Sequence, residues 1–451
     1  MGLNFYIPLS GLRAGEKMIQ VAQNNIANAH NTSYARQRVE ANATNYPAGV
    51  SGINAQLGTG VSIEQITRVR DELIIQQSRT EGGTIGYHSA IKDVLSNIET
   101  IYNETSTNSI SDLMNGLFNS FEEASKYPEQ SSYRLNTAYA GKMFAEKIRG
   151  VANQLDEVKS QTDRKLTTEV ERVNELISKI ANVNQKMENI YSDKANALMD
   201  ERDKYLDELS SYIDVEVVHK SSPMNMEIKV GNATLLSGKN KYNIDAMYVP
   251  STDKWVLAAS DIEFKPKSGS LAGIIEARDV NIPKYEKELN ELVKNIIKEV
   301  NTLQESGYDL KGSKGVQFFK GGDIRTIEIN SELIDNPNKL ALSGKQGVIG
   351  NADIGKALAD LKSKPFMDGK SPINYYQGYT IRLASDLNIA RESELIHIDV
   401  QQAMESQRQE IQGVSTDEEM TDLMVFQKYY QANAKTLKIV DSMLNDLLSI
   451  L

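Results

Sequence analysis

The chain has 451 residues, 40% of them hydrophobic and 25% charged, with a formal net charge of −11 and no cysteine. Its length favours two or three domains, and its composition is typical of a folded, water-soluble protein. The acidic net charge disfavours a nucleic-acid partner. The lack of cysteine excludes disulfides, thiolate metal sites and cysteine nucleophiles. No apolar run reaches transmembrane length, so we expect no membrane partner.

The N-terminal segment has apolar or small residues at coiled-coil spacing. They alternate steps of three and four, which is a period of about 3.5 residues. The stripe consists of Phe5, Pro8, Leu12, Gly15, Ile19, Ala22, Ile26 and Ala29. Large residues fill one heptad position and small residues the other. We therefore predict a helix whose bulky layers alternate with small layers, at which a partner helix can approach closely. The segment does not fit a cleaved secretory signal, because it lacks an uninterrupted apolar core and a small-residue cleavage site.

Helical periodicity dominates the middle of the chain. We predict helices over residues 85–103, 110–126, 150–211 and 283–305. The longest of them, 150–211, would exceed about 50 Å at about 1.5 Å per residue. Apolar residues alternate with polar ones after residue 211, which predicts strands and a small β domain at 212–268 that includes Trp255, and a further short strand is predicted at 326–330.

The C-terminal segment repeats the three-four alternation without a break. Its stripe consists of Leu423, Phe426, Tyr430, Asn433, Leu437, Val440, Leu444, Leu447 and Leu451. Ser415 followed by Glu418 predicts a capping box, and therefore a helix that begins near Thr416. The acidic residues of its first turn suit the positive end of the helix dipole. Asn433 would fix the register of a helix pair or simply be tolerated at a wet position.

The two ends of the chain should attract each other. Residues 1–46 carry four basic and two acidic side chains, whereas 401–451 carry four basic and eight acidic ones. Neither helix can bury its stripe alone, so we expect the ends to pair with each other or with neighbouring copies. The predicted fold is mainly α with an inserted β domain. Its domains are a terminal coiled coil (1–55 with 400–451), a helical rod (56–211 with 269–399) and the β domain (212–268).

Patterns typical of catalytic, cofactor or metal sites are missing from the sequence. His30, His88, His219 and His397 are far apart and are expected at the surface or in loops. The segment 350–357, "GNADIGKA", keeps the two glycines and the lysine of a phosphate-binding loop but has Ala357 where a magnesium-binding hydroxyl belongs. We therefore predict a protein that is not an enzyme and that has no cofactor and no metal.

Several motifs resemble those of one known family. The segment 24–37, "NNIANAHNTSYARQ", resembles the N-terminal motif of the axial proteins of bacterial flagella, which are the rod, hook and hook-associated proteins. The segment 413–448 resembles the matching C-terminal end. Two further segments, "NALMDERDKYLDELS" at 196–210 and "GSLAGIIEARDVNIPKYEKELNELV" at 269–293, are similar to the hook-associated group. The chain departs from the family where Ser33 leads straight to Tyr34, without the usual Pro-Gly.

The resemblance implies a structural role outside the cell. It implies export through the flagellar type III apparatus without a cleaved signal, and assembly as a ring between hook and filament on which flagellin starts to assemble. The implied partners are further copies of the chain, the hook protein, a second junction protein, and an export chaperone with the export apparatus. The N-terminal assembly interface would consist of Leu12, Gly15, Ile19, Ala22, Asn24, Asn25, Ile26, Asn28 and Ala29, and it would meet the C-terminal stripe.

Three alternatives remain open from the sequence. A hook or rod protein would share the terminal motifs but should lack the 196–210 segment. An axial protein with an enzymatic insert would need a metal motif or an acid pair in a separate α/β insertion, whereas the predicted insertion is short and strand-like. A cytoplasmic coiled-coil scaffold would have both terminal stripes covered within the monomer.

Overall fold

The computed structural model describes residues 3–44, 58–102, 108–188, 195–219 and 226–450. Within these ranges the chain is mainly helical with small antiparallel sheets, which confirms the predicted fold class. The helices are α1 (Leu3–Ala27), α2 (Glu72–Tyr102), α3 (Ile110–Lys126), α4 (Ser131–Glu188), α5 (Ala195–Tyr212), α6 (Ser270–Glu276), α7 (Ile282–Ser306), α8 (Ser331–Asp335), α9 (Asp353–Asp360), α10 (Pro372–Gln412) and α11 (Thr416–Ile450). A π-helical turn, Ala277–Asn281, joins α6 to α7, and a 3-10 turn, Pro337–Lys339, follows α8.

The strands form four antiparallel sheets in the described residues. They are β1 (Gln37–Thr44), β2 (Gly60–Arg68), β3 (Glu216–His219), β4 (Met226–Val230), β5 (Ala233–Ser237), β6 (Asn240–Lys241), β7 (Ile244–Val249), β8 (Lys254–Ala259), β9 (Ile262–Phe264), β10 (Phe319–Lys320) and β11 (Glu328–Ile329). The sheet orders are β1-β2, β3-β4-β5-β6, β7-β8-β9 and β10-β11.

A helical body formed by α2, α3, α4, α7 and α10 holds the larger hydrophobic core. Aromatic rings fill its centre, with Phe121 5.1 Å from Phe318 and Phe144 6.2 Å from Phe319 between centroids. Helix α4 has 58 residues and therefore spans about 87 Å at about 1.5 Å per residue. The body is thus organised around one long helix.

Helix α2 begins at Glu72, whereas the sequence predicts its start at residue 85. The first half of α2 contains glycines and polar residues, which have low helix propensity or obscure the apolar stripe. The glycines allow close packing, since a Cβ at Gly86 would lie 2.2 Å from the carbonyl oxygen of Ser211. Close packing against the end of α5 therefore overrides local propensity.

The single helix predicted over 150–211 is two helices that run in opposite directions. Helix α4 begins at Ser131, and α5 returns along it, so that Arg172 pairs with Glu208 and Arg202 donates to Asn184 at 3.1 Å. Both segments have helical periodicity, which does not reveal where the chain reverses.

The two sheets β3–β6 and β7–β9 lie within the predicted β segment and share a second core with α4, α5 and α6. Their inward residues include Met226, Ile228, Leu235 and Leu257, which belong to the same buried cluster as Ile177 of α4. Strand β3 begins at Glu216 rather than near 213, because the Ile213 N–H still donates to the Leu209 carbonyl oxygen of α5 at 3.1 Å. The short strand predicted at 326–330 is β11.

The terminal region combines α1 and α11 with the hairpin β1–β2. The sequence predicts only coiled coil over 1–55, whereas residues 37–44 form a strand with a bulge between Glu40 and Ala41. The predicted boundary at 55 lies outside the described residues. The boundary at 400 falls inside α10, which continues unbroken to Gln412. None of the described helices is long and apolar enough to cross a membrane.

Candidate assembly site at the terminal helices

Helices α1 and α11 pack against each other in antiparallel orientation within one chain. Gly11 faces Asn433, and Gly15 faces Tyr429, four residues earlier in α11. A Cβ at Gly11 would lie 2.4 Å from the Asn433 side-chain oxygen, and one at Gly15 would lie 3.2 Å from the Tyr429 ring. Glycine therefore sets how closely the two helices can approach.

The structure divides the N-terminal interface residues into different environments. Gly15, Ala22 and Asn25 are buried, and Asn24 is exposed. The remaining residues are half-buried, namely Leu12, Ile19, Ile26, Asn28 and Ala29. The sequence predicts that bulky and small layers alternate along one packed face of α1. In the structure the small residues contact α11 closely, and the bulky residues lie at the side of that contact.

The C-terminal stripe is only partly covered by α1. Its described side chains are half-buried except Tyr430, which is exposed: Leu423, Phe426, Asn433, Leu437, Val440 and Leu444. The side chain of Leu447 and all of Leu451 lie outside the described residues. Asn433 donates from Nδ2 to the Tyr429 carbonyl oxygen at 2.9 Å, and its proposed role in fixing the register stays a prediction.

Asn25 joins three elements of the terminal region. Its Oδ1 accepts from the Tyr34 hydroxyl at 2.7 Å and from the Gln37 backbone N–H at 3.0 Å. Its Nδ2 donates to the Gln37 carbonyl oxygen at 3.0 Å and to Glu419 Oε2 at 3.1 Å. These four bonds use the full capacity of one carboxamide, whose residue is 1% exposed. The end of α1, the start of β1 and the start of α11 are therefore held together by one side chain.

Arg36 extends this junction to the acidic first turn of α11. Its Nε donates to Glu419 at 2.7 Å and a terminal nitrogen donates to Glu418 at 2.9 Å. The Arg36 backbone N–H donates to the Gln412 carbonyl oxygen at 2.8 Å. Only half of the predicted capping box forms, because Ser415 accepts from the Glu418 N–H at 3.4 Å while the Glu418 carboxylate pairs with Arg36. We call Asn25, Tyr34, Arg36, Gln37 and Glu419 the terminal junction.

A second cluster of charges fastens the hairpin and the C-terminal end of α10 to α5 and α2. Three aspartates on α5 face arginines from β2, the β2–α2 connection, α2 and α10. The pairs are Arg68 with Asp200 (2.9 Å) and Asp203 (2.7 Å), Arg70 with Asp203 (2.9 Å), Arg79 with Asp207 (2.7 Å), and Arg408 with Asp207 (2.9 Å). The 196–210 motif thus supplies the acidic side of a network that connects the terminal region to the helical body.

Burial and charge act differently on neighbouring carboxylates of this network. Burial raises the pKa of Asp200 to about 6, although Arg68 favours its ionised form. Burial also opposes ionisation of Asp203, but Arg70, Arg68 and Arg79 together hold the pKa of that carboxyl below its usual value. Burial, with Asp200 and Glu419 nearby, raises the pKa of the Tyr34 phenol, so the Tyr34 hydroxyl stays a hydrogen-bond donor.

Arg278, in the π-helical turn, connects the β sheets to α4. Its Nε donates to Asp163 of α4 at 2.8 Å, and a terminal nitrogen donates to Asp253 of the β7–β8 turn at 2.9 Å. Trp255 is half-buried, and its indole N–H donates to the same Asp163 at 2.8 Å. The tryptophan predicted in the β core therefore lies at the contact between the β sheets and the rod helix.

Two histidines that are distant in sequence come together between α2 and α10. The rings of His88 and His397 stack at 5.8 Å, and His397 Nδ1 lies 2.6 Å from Glu81. The expectation of surface or loop positions is therefore wrong for these two, which lie half-buried on helices; His30 is exposed, and the His219 side chain lies outside the described residues. In the described part of the chain, no group of three or more metal-ligating side chains occurs.

The motif at 24–37 marks Asn24, Asn25 and Asn28, but no pattern in the sequence pairs Arg36 with Glu419. Glu419 is 3% exposed, although it stands in a run of charges that looks solvated. The first turn of α11 carries three consecutive acidic residues, although one or two are enough to interact with the helix dipole. This surplus of negative charge was the one clue that a basic partner lies nearby. Finding the partner requires knowing that the chain ends meet.

Two known sequence families match the chain. The family described as flagellar hook-associated protein FlgK helical domain matches residues 95–319. The family described as flagellar basal body rod FlgEFG protein C-terminal matches residues 405–450 and thus covers α11.

Curated relatives match over nearly their whole length. Flagellar hook-associated protein 1 of Bacillus subtilis (strain 168) is 28% identical, over 97% of this chain and 96% of the relative. The protein of the same name from Escherichia coli (strain K12) is 23% identical, over 98% of both. Among solved structures, the flagellar hook junction protein FlgK from Burkholderia pseudomallei has a TM-score of 0.66 at 12% identity, covering 74% of this chain and 99% of that one. The solved structure thus supports the fold.

Proposed function

The chain belongs to the flagellar axial proteins, in the hook-associated protein 1 group, and from this premise we propose that it is the structural subunit that joins hook to filament. One observation carries the proposal beyond the family: α1 and α11 form a pair that the terminal junction and the arginine–aspartate network fasten to the body. A subunit of a tube needs such a joint, because load must pass from the terminal helices to the rest of the subunit.

We propose that copies of the chain form a ring through their terminal helices. The residues expected at that interface are the N-terminal set from Leu12 to Ala29 and the C-terminal stripe from Leu423 onward. The hook protein would contact the ring on one side and a second junction protein on the other, and the ring would template flagellin assembly. The role is mechanical, without catalysis, cofactor or metal.

Export and domain organisation form part of the same proposal. The chain would leave the cell through the type III export apparatus, with an export chaperone and without a cleaved signal. The terminal helices would line the inner tube, the residues 56–211 with 269–399 would form the rod, and 212–268 would be the outer β domain. The ion pairs of Arg278 with Asp163 and Asp253 support a β unit that is fixed to the rod.

Deletion of the gene, followed by electron microscopy of the cells, tests the proposal. We expect cells that keep their hooks, lose their filaments and release flagellin into the medium. Loss of hooks would instead favour a hook or rod protein. Intact filaments would contradict the proposed role and would favour a scaffold inside the cell. Restoring the unmodified gene must restore filaments, which controls for effects on neighbouring genes.

A further inference from the structure

Helix α11 carries a second apolar stripe, which α1 touches at Tyr429 through Gly15 and otherwise leaves open. It lies one residue before the C-terminal stripe and keeps the same alternation of four and three. It consists of Val425, Tyr429, Ala432, Thr436, Ile439 and Met443, which we call the outer stripe. Its large members are well exposed, with Val425 at 54%, Ile439 at 55% and Met443 at 60%. Large apolar residues at heptad spacing on an open helix face are typical of a helix that binds another helix.

Helix α1 carries a matching feature, made of Leu12, Ile19 and Ile26, which we call the α1 ridge. These residues repeat every seven positions and stay half-buried, on the flank of the small residues that contact α11. The large residues of the outer stripe follow the same heptad repeat. Val425 and Ile439 are two heptads apart, and so are Tyr429 and Met443. Two surfaces with the same period can interlock along their length.

The ridge and the stripe lie on opposite sides of the α1–α11 layer. At about 3.6 residues per turn, and with the helices antiparallel, the outer stripe is on the side that holds the β1–β2 hairpin. The α1 ridge points to the other side. A chain therefore cannot join its own ridge to its own stripe, but it can offer its stripe to the ridge of another copy.

Charge also favours a second copy as the partner. Beside the outer stripe lie Lys428, Lys435 and Asp446, a net charge of +1, and beside the α1 ridge lies the exposed Glu16. Over whole helices, α1 has two basic residues and one acidic, a net charge of +1, whereas α11 has three basic and six acidic, a net charge of −3. The two helices that would meet thus have opposite net charge as well as opposite local charge.

We infer that the outer stripe of one copy packs on the α1 ridge of the next, an inference that rests on the proposed function. The contact between copies is then heterologous, with different surfaces on the two partners, and such contacts repeat around a ring or along a helix. The pairing of α1 with α11 would therefore occur twice, within a chain through the glycines and between chains through the bulky residues.

Cysteine cross-linking tests this inference directly, because the natural chain has no cysteine. Two single variants are produced together in the deletion strain, one with Ile19→Cys and the other with Val425→Cys, Ala432→Cys or Ile439→Cys. The three positions are seven residues apart, so any register that places Ile19 along residues 422–442 of α11 brings one of them near it. Isolated flagella are oxidised with copper phenanthroline, and we expect a disulfide-linked dimer from at least one mixture.

The matched control combines Ile19→Cys with Gln431→Cys, an exposed position away from both stripes of α11. This mixture, and each variant produced alone, should give no dimer above background. Filaments on the complemented cells together with no Ile19 cross-link, or with equal cross-linking to Gln431, would overturn the inference and leave the proposed function standing. The proposed function fails by a separate observation, namely filaments on the deletion strain itself.

Discussion

Helix α4 buries side chains along its whole length, whereas the described side chains of α11, a helix of 35 residues, include one buried residue, Glu419. The body is thus held by apolar packing, and the start of α11 is held by hydrogen bonds and ion pairs to Asn25 and Arg36. We therefore expect the body to be stable by itself, and we propose that the terminal helices use their uncovered apolar surface for contacts with other copies.

The largest effect is expected from a truncation in the body. Phe144→Ala should remove about 3–5 kcal/mol from the free energy of unfolding, because Phe144 is fully buried and leaves a cavity beside Phe319. Urea unfolding measures the loss. Tyr139→Ala on the exposed side of the same helix is the control and should change stability by about 0.5 kcal/mol or less. Equal losses in both variants would contradict the assignment of the core.

The network between the two regions should make stability depend on pH. The pKa of Asp200 is raised to about 6 in the folded chain, so the folded chain holds this proton more tightly than the unfolded chain does. The protonated carboxyl therefore stabilises the fold at low pH, and this stabilisation is lost as the pH rises through about 6. Asp200→Asn removes this loss, so the stability of the variant relative to the natural chain should increase between pH 4 and 7, by up to about 3 kcal/mol.

Thermal unfolding of both chains across that pH range measures the difference. The exposed Asp399→Asn is the control and should give a difference that does not change with pH. A relative stability of Asp200→Asn that falls as the pH rises would show that Arg68 outweighs burial at this carboxylate.

The sequence was sufficient to predict the elements whose periodicity is regular. Helix α11 begins at Thr416 as predicted, and α3 and α7 lie within one residue of their predicted bounds. The start of α2 was missed because packing against α5 overrides the low propensity of its glycines. The Arg36–Glu419 pair could not be predicted, since its partners are 383 residues apart and their meeting depends on the whole fold.

A smaller and more local effect is expected at the terminal junction. Asn25→Ala leaves the backbone groups of Gln37 and the hydroxyl of Tyr34 without their buried partner, which costs about 1–3 kcal/mol. Hydrogen exchange should become faster in the first turns of α11 and in β1 but not in α4. The neighbouring Gln23→Ala, on the exposed side of α1, should leave all three unchanged. Faster exchange throughout the body would mean that the two regions unfold as one.

The smallest effect on the monomer, and the largest on assembly, is expected at Leu437. This side chain is half-buried, so Leu437→Asp should lower the stability of the monomer by about 1 kcal/mol or less. In an assembled tube the same charge would lie in a dry layer between helices, where burying it costs several kcal/mol. We therefore expect a folded, soluble variant that does not restore filaments to the deletion strain, with Gln431→Asp as the control that does. If Leu437→Asp restored motility fully, the C-terminal stripe could not be part of the surface through which copies of the chain assemble.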